Sequence, residues 1–177
     1  MPTNRRKDRR KRKKQDREYD HSLLHVARLA RVVQGGRRFS FRATVAIGNH
    51  KGTVGIGIAK GPDISNAIGK AVHNAKKQLV IFPIVNSTIP HEVAVKFGSS
   101  KIIIKPAKEG KGIVAGGALR SIAELGGIRN LTAKSLGSGN KINTGKAMIL
   151  ALKQLQGTSN AVKSNEEKEK SNEEVMG

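Results

Sequence analysis

Residues 39–60, FSFRATVAIGNHKGTVGIGIAK, contain the pattern that decides the fold. From Phe39 to Ile47, apolar side chains alternate with smaller or polar ones, which is the period of a strand with one face turned inward. Residues 48–52 form a turn signal, and apolar side chains then alternate with glycine from Val54 to Ile58. The segment therefore predicts a β-hairpin. The glycines leave the outer face of its second strand bare, so we expect another backbone to approach there closely.

The flanking segments extend this hairpin to three strands and a helix. Residues 21–33 suit a strand imperfectly, and a helical turn at their start is an alternative. After the hairpin, Pro62-Asp63 is a plausible helix start. The apolar residues that follow have helical spacing: Ile64, Ala67, Ile68, Ala71, Val72 and Ala75. The first half is therefore predicted to run β-β-β-α.

The second half begins with another predicted hairpin. Val93, Val95 and Phe97 alternate with polar or small residues, and Ile102 and Ile104 follow a Gly-Ser-Ser turn. A glycine-rich loop at residues 109–112 then leads to a helix with apolar residues at Ala115, Ala118, Leu119, Ile122 and Leu125, stopped by Gly126-Gly127.

The last elements are a strand and a helix. Residues 128–136 are predicted to form the strand. Thr144 is a candidate cap for the helix, which would end at Gly157. Its buried face would carry Met148, Ala151, Leu152 and Leu155. The second half is therefore predicted to run β-β-α-β-α.

The fold class expected from this order is α+β, with two small domains and disordered tails. Ten Lys/Arg and almost no apolar side chains make residues 1–20 a basic arm, and three Lys with five Glu make residues 158–177 a charged tail. The domains are placed at residues 21–85 and 86–157, with their boundary near Pro83 and Pro90. Each holds roughly 65 residues and is marginal alone, so docking to the other or to RNA would stabilise both.

The charge of the chain indicates a polyanionic partner. The sequence has 34 Lys+Arg against 13 Asp+Glu, a formal net charge of +21. Residues 21–157 alone keep 21 basic and four acidic side chains, so the arm is not the only source. Nucleic acid is the usual neutraliser, because each contacted phosphate releases a counterion. Four Phe, one Tyr and no Trp argue against stacking of many bases, which favours folded RNA over single strands.

Other classes of protein fit the sequence less well. The absence of Cys excludes disulfides and thiolate metal sites, no apolar run approaches the ~20 residues of a membrane span, and the charged N-terminus does not resemble a secretory signal. The cytoplasm is therefore expected. Few acids and no metal-ligand spacing among the five His argue against an enzyme, a metal or a cofactor. The alternatives that stay open are a free RNA chaperone, a small phosphotransferase and a basic protein of membrane surfaces.

Two glycine-containing loops are candidate binding sites. Gly35-Gly36-Arg37-Arg38, with Arg28 and Arg31, would crowd cations suited to phosphate oxygens, and an ordinary basic hairpin turn is the alternative. Residues 110–115 formally match a dinucleotide-binding fingerprint, but no acid follows at the required distance. A basic loop at a helix N-terminus, where N–H groups favour an anion, or a plain structural turn fits this segment better.

Four segments resemble one protein family. Residues 33–41, VQGGRRFSF, are similar to the V-x-G-G-R-x-F-S-F segment of ribosomal protein five of the bacterial small subunit. Residues 52–60, 106–120 and 133–140 agree with further family segments in the same order. The resemblance spans roughly residues 22–156. It implies a first domain similar to double-stranded-RNA-binding domains without their leading helix, and a second with a βαβ-containing fold that some kinases share.

The resemblance also implies a function without catalysis. Family members bind small-subunit rRNA of the 16S type, neighbour ribosomal proteins four and eight, and support accurate decoding. The loop corresponding to residues 28–38 lies near the spectinomycin site in the family. No cofactor, small-molecule substrate or membrane is implied. The residues predicted to bind RNA are Arg28, Arg31, Gly35, Gly36, Arg37, Arg38, Arg42, Lys51, Lys60, Lys111, Arg120 and Lys134.

Overall fold

A computed structural model describes residues 19–155. They form eight strands, which are arranged in two sheets, and three helices. The predicted arm and tail lie outside this range, apart from Tyr19 and Asp20. The strands are β1 Asp20–Val33, β2 Gly36–Gly48, β3 Thr53–Gly61, β4 Leu79–Ile81, β5 Val93–Phe97, β6 Ser100–Pro106, β7 Ile113–Val114 and β8 Leu131–Ser135. The helices are α1 Ile64–Lys76, α2 Gly117–Gly126 and α3, residues 141–155.

The first sheet has the order β1-β2-β3-β4, and all its pairs are antiparallel. The predicted hairpin is β2 and β3. The ambiguous segment at residues 21–33 is strand throughout, with a bulge at Leu24 that places one extra residue between Leu23 and His25. The bulge explains why this strand alternates imperfectly, since an unpaired residue shifts the period of two. The short edge strand β4 was not predicted.

Helix α1 lies on the glycine face of β3. A Cβ at Gly55 would lie 2.7 Å from the Ala75 carbonyl oxygen, and one at Gly57 would lie 2.6 Å from the Ala75 nitrogen. The predicted close approach of another backbone is therefore confirmed. The face is not an outer one, however. Register places these glycines beside Val45 and Ile47, which form the buried layer under α1.

Strand β2 is buried on both faces over residues 43–48, so the prediction of one inward face is wrong for this part. Val45 faces α1, whereas Ala46 belongs to a core cluster shared with the second half of the chain. Val54 and Ile56 of β3 join Ala46 in that cluster. An alternating strand reads as half-exposed from sequence, because small residues such as alanine suit a second covered face equally well.

The second sheet has the order β5-β6-β8-β7, in which β7 alone runs parallel to its neighbour. The predicted hairpin is β5 and β6, and the predicted strand within residues 128–136 is β8. The two-residue strand β7 was not predicted. It separates the glycine-rich loop from α2, whose N-cap is Gly116. The interpretation of this loop as a helix N-terminus is therefore wrong.

Helix α3 buries the face that its periodicity predicts. Met148, Ala151, Leu152 and Leu155 are all fully buried. The predicted cap is wrong, since Asn140 takes that role: its Oδ1 accepts a hydrogen bond from the Ile142 nitrogen at 3.1 Å. Thr144 is a buried residue inside the first turn. The predicted end at Gly157 lies outside the described residues.

The turn between β2 and β3 joins the two halves at the C-terminus of α2. The His50 nitrogen donates to the Leu125 carbonyl and the Gly52 nitrogen to the Gly126 carbonyl, each at 2.9 Å. The His50 ring adds a hydrogen bond from Nδ1 to the Glu124 carbonyl at 2.8 Å. These donors satisfy carbonyls that a helix end leaves without intrahelical partners. The halves thus dock through main-chain bonds as well as a shared core.

The packing gives four layers in the order α1, first sheet, α2 with α3, second sheet. One core cluster contains residues of the first sheet, both later helices and the second sheet. At Gly145 of α3, an added Cβ would lie 2.9 Å from Ile56 Cδ1 of β3, which shows how closely this helix covers the first sheet. The expectation that the two halves stabilise one another by docking agrees with this shared core.

Candidate nucleic-acid interface

Strands β1 and β2 continue past the end of β3 as a two-stranded hairpin. The pairing of β2 with β3 stops at Phe41 and Gly61, whereas β1 and β2 remain paired to Val33 and Gly36. The connecting turn is Gln34-Gly35, and Gly36 has a φ of 135°, which side-chain-bearing residues rarely adopt. Residues 34–39 are exposed. The hairpin thus presents its side chains on two open faces.

One face of this region carries a line of four cations, here called the cation row: Arg31, Arg38, Arg42 and Lys60. Arg31 lies directly opposite Arg38, and Arg42 directly opposite Lys60, so each pair shares a face of the sheet. Like charges placed directly opposite one another on paired strands are destabilising. No carboxylate within the described residues pairs with these cations. A polyanion would relieve both repulsions at once.

The opposite face of the hairpin carries Arg28, Arg37 and Phe39. The Arg28 guanidinium lies over the Phe39 ring, 3.6 Å from its centroid. This cation–π contact holds the guanidinium over the face of the ring. Phe39 itself is 49% exposed, so the pair forms part of the accessible surface.

Substitution of Phe39 by leucine should weaken RNA binding about two- to fivefold, since an exposed cation–π contact contributes about 0.5–1 kcal/mol to holding Arg28 in place. The fold should tolerate the change, because this side chain lies beyond β3 and half-exposed. Fluorescence anisotropy with a labelled RNA duplex measures the affinity, and thermal unfolding monitors stability. An unchanged affinity would contradict a role for the Arg28–Phe39 pair, and the Phe39→Tyr variant, which keeps the ring, serves as the control.

Four predicted RNA-binding residues lie away from the hairpin. Lys51 lies in the β2–β3 turn, Lys111 in the glycine-rich loop, Arg120 on α2 and Lys134 on β8. Arg120 donates from Nε to Glu124 Oε1 at 2.8 Å, an exposed pair one helical turn apart. The structure therefore brings together six of the ten predicted basic residues, together with Gly35 and Gly36, and separates the other four from them.

The glycine-rich loop around Lys111 is held by one buried side chain. Gly110 and Gly112 have φ of 84° and 72°. Asn130, which is 5% exposed, accepts a hydrogen bond from the Gly112 nitrogen at its Oδ1, at 3.0 Å. Its carbonyl accepts another from Thr88 at 2.7 Å. The loop is thus an anchored turn that exposes Lys111, and its position between β6 and β7 is incompatible with a nucleotide fingerprint.

Acidic and metal-binding chemistry is sparse in residues 19–155. No group of three or more His, Cys, Asp or Glu side chains there is arranged to hold a metal ion. Asp20 pairs with His50 at 3.1 Å, Glu92 with Lys105 at 2.9 Å, and Glu124 with Arg120. No helix in the same range is long and apolar enough to cross a membrane.

Comparison with known proteins identifies the family. Residues 19–83 match the family model for the N-terminal domain of ribosomal protein S5, and residues 95–165 match that for its C-terminal domain. A uS5 protein of Campylobacter jejuni, strain 81-176, is 46% identical over 140 residues, 79% of this chain and 95% of that relative. The chain belongs to the ribosomal protein S5 family. The four segments on which the resemblance rested all lie within the two matched ranges.

A second relative widens the comparison to an organelle-type protein. The small ribosomal subunit protein uS5c of Cyanidium caldarium is 43% identical over 142 residues, 80% of this chain and 84% of that relative. S5 proteins are structural and non-enzymatic. The predicted domain boundary between residues 85 and 86 falls in the interval between the matched ranges and stays a prediction, as do the twelve RNA-binding residues.

Sequence reasoning missed part of one further basic surface. Lys96, Lys101 and Lys105 share the open face of the second sheet with Lys134, the only one of the four that was predicted. The signal was present, since these lysines alternate with the buried residues of β5 and β6. The sequence prediction missed these lysines because it considered only the apolar residues of each alternating strand.

Proposed function

We propose that this chain is a structural constituent of the small ribosomal subunit, located in the cytoplasm as part of the ribosome. The observation that carries the proposal is the match to S5 relatives named as small-subunit proteins, one of which is covered over 95% of its length. The formal charge of +21 favours a polyanionic neighbour of the kind that a ribosome supplies. The protein would act by holding rRNA and neighbouring proteins in register.

The rRNA contact is proposed to lie at the β1–β2 hairpin. The cation row places two like-charged pairs on one face, and Arg28 and Arg37 lie on the other. A hairpin that is basic on both faces suits insertion between phosphate-rich surfaces of folded RNA, where Arg binds phosphate oxygens in a bidentate manner. Lys51, Lys111, Arg120 and Lys134 would make separate contacts, with Arg120 exchanging Glu124 for a phosphate.

The finer parts of the proposal rest on the family resemblance. Ribosomal proteins four and eight are the proposed neighbours, and support of decoding accuracy is the proposed contribution to translation. The turn at Gly35-Gly36, which would lie near the spectinomycin site, has open space around both glycines. This leaves room for RNA to approach the main chain closely.

Co-sedimentation with ribosomes tests the proposed function. A tagged copy of the full chain, expressed in cells whose own S5 gene is repressed, is expected to restore growth and to remain with small subunits through a high-salt wash. A free RNA chaperone would wash off at the same salt concentration. Release of the protein from otherwise intact, washed subunits would overturn the proposal.

A further inference from the structure

A cleft of about 680 Å³ lies between the two halves of the chain, where β3, β4 and the end of α1 face α3. Ile56 and Leu79 of the first half contribute apolar walls, and so do Phe97 and Ile149 of the second half. The volume lies within the range of roughly 300–1,000 Å³ that is typical of binding sites in proteins. The cleft is therefore large enough to receive several side chains of a bound segment.

Three lysines line this cleft: Lys77, which follows α1, and Lys146 and Lys153, which lie on α3. All three are exposed, and no carboxylate of residues 19–155 pairs with any of them. Lys146 Nζ lies instead over the Phe97 ring, 5.5 Å from its centroid. The cleft thus combines apolar walls with three positive charges that the described part of the chain leaves uncompensated.

The chemistry of the cleft suits an anion that also carries apolar groups. Carboxylates would neutralise the lysines, and apolar side chains would remove the walls of the cleft from water. A nucleic-acid backbone meets only the first condition, because phosphates offer nothing that covers an apolar wall. The ligand class that meets both conditions is an acidic peptide with some apolar side chains.

A segment with this composition follows α3 in the sequence. Residues 158–177 contain five Glu and three Lys, and four of the Glu form two pairs, at positions 166–167 and 173–174. Val175 and Met176 follow the second pair. Because the rest of the chain is strongly basic, this segment is the part whose charge complements the lysines of the cleft.

The segment also begins close to the cleft. The described part of α3 runs to residue 155, two residues beyond Lys153. An extended chain advances about 3.3 Å per residue, so the residues between 155 and 166 can span up to roughly 36 Å. Lys146 and Lys153 are about 10 Å apart along α3, at ~1.5 Å per residue. The glutamate pairs can therefore reach lysines at both ends of the cleft.

We propose that residues 158–177 bind in the cleft while the protein is free of RNA. The glutamates pair with the three lysines, and Val175 and Met176 lie against the apolar walls. The contact neutralises the lysines and connects the two halves at a place distinct from the His50 junction. Exposed ion pairs are individually weak and are screened by salt, so the contact is reversible. The inference stands apart from the proposed function, because it concerns the isolated protein and not the assembled subunit.

A nitroxide on the segment tests this contact by NMR of the full chain. The sequence has no Cys, so S171C introduces a single labelling position between the two glutamate pairs. The amide signals of Lys77, Phe97 and Leu150 are expected to lose most of their intensity, whereas those of residues 34–37 at the hairpin tip keep theirs. Raising the salt from about 0.1 M to about 1 M should restore the lost signals, since the Debye length falls from about 10 Å to about 3 Å.

Charge variants that carry the same label show which groups make the contact. The K77Q/K146Q/K153Q variant is expected to keep full amide intensity at the cleft, and so is the E166Q/E167Q/E173Q/E174Q variant. The control K96Q/K101Q/K134Q variant removes the same charge as the first from exposed lysines of the second sheet. It is expected to lose intensity at the cleft as the wild type does.

Four results would overturn the inference. Full intensity at the cleft in the labelled wild type would show that the segment does not bind there, and a loss at residues 34–37 instead would assign it to the hairpin. Full intensity in both lysine variants would mean that total charge, and not the cleft, determines the contact. A loss that appears only when isotope-labelled protein is mixed with separate spin-labelled protein would mean that the contact joins two molecules.

Discussion

Replacing Gly57 with alanine is expected to lower the free energy of unfolding by about 3 kcal/mol, the upper end of the usual range for overpacking. The new Cβ would overlap the Ala71 carbonyl oxygen and lie 2.6 Å from the Ala75 nitrogen. Both are main-chain atoms of α1, so no side chain can rotate to make room. The helix would have to move off the sheet and expose the layer formed by Val45 and Ile47.

Urea unfolding followed by circular dichroism measures this effect, and a second glycine of the same element pair provides the control. Gly69 lies inside α1 with no atom within 4 Å of an added Cβ. Gly69→Ala is expected to raise stability by roughly 0.5–1 kcal/mol, since glycine is unfavourable inside a helix. A Gly57→Ala variant as stable as the wild type would contradict the packing of α1 on β3.

The local elements could be predicted because each has its own period. The β2–β3 hairpin, α1 and the β5–β6 hairpin follow from alternation, helical spacing and turn residues alone. Alternation does not show which element of the fold packs against each face of a strand. The glycines at 55 and 57 were taken for an outer face, but the small residues are there because α1 lies on them. Likewise, the sequence pattern does not distinguish the buried Ala46 from an alanine that faces solvent.

The junction between the halves was invisible to sequence reasoning for a different reason. Its bonds run from main-chain donors of residues 50 and 52 to main-chain carbonyls of residues 125 and 126. Main-chain hydrogen bonds do not depend on the identity of the side chains, so the sequence does not reveal them. One hint was Gly127, whose φ of 85° and contact with the His50 carbonyl leave no room for a Cβ. In sequence, that glycine reads simply as the end of a helix.

The candidate site was predictable in composition but not in arrangement. The concentration of arginines at residues 28–42 pointed to phosphate from charge alone. Only the register shows that Arg31 meets Arg38 while Arg28 stacks on Phe39 on the other face. A change of register by one residue would exchange these faces, so no count of charges could have assigned them.

The cation row provides the largest expected effect on RNA binding. The R31Q/R38Q/K60Q variant changes three exposed residues and leaves half-buried Arg42 in place to preserve the fold. If each side chain meets one phosphate, the slope of log affinity against log salt should fall by roughly two to three. The same counterion release predicts a loss of affinity of roughly a hundredfold or more at 0.1 M salt. The sheet should become slightly more stable, because the repulsion between opposed cations is gone.

Two comparison proteins make this result specific to the cation row. The K70Q/K141Q/K153Q variant has the same net charge, so an equal loss of affinity in both would show that total charge, and not the hairpin, determines binding. The R31K/R38K variant keeps the charge but removes the guanidinium fork. Its salt slope should match the wild type while its affinity falls, because counterion release depends on charge and bidentate hydrogen bonding depends on shape. Wild-type affinity in R31K/R38K would instead mean that the hairpin meets phosphates by charge alone, without the geometry that distinguishes arginine.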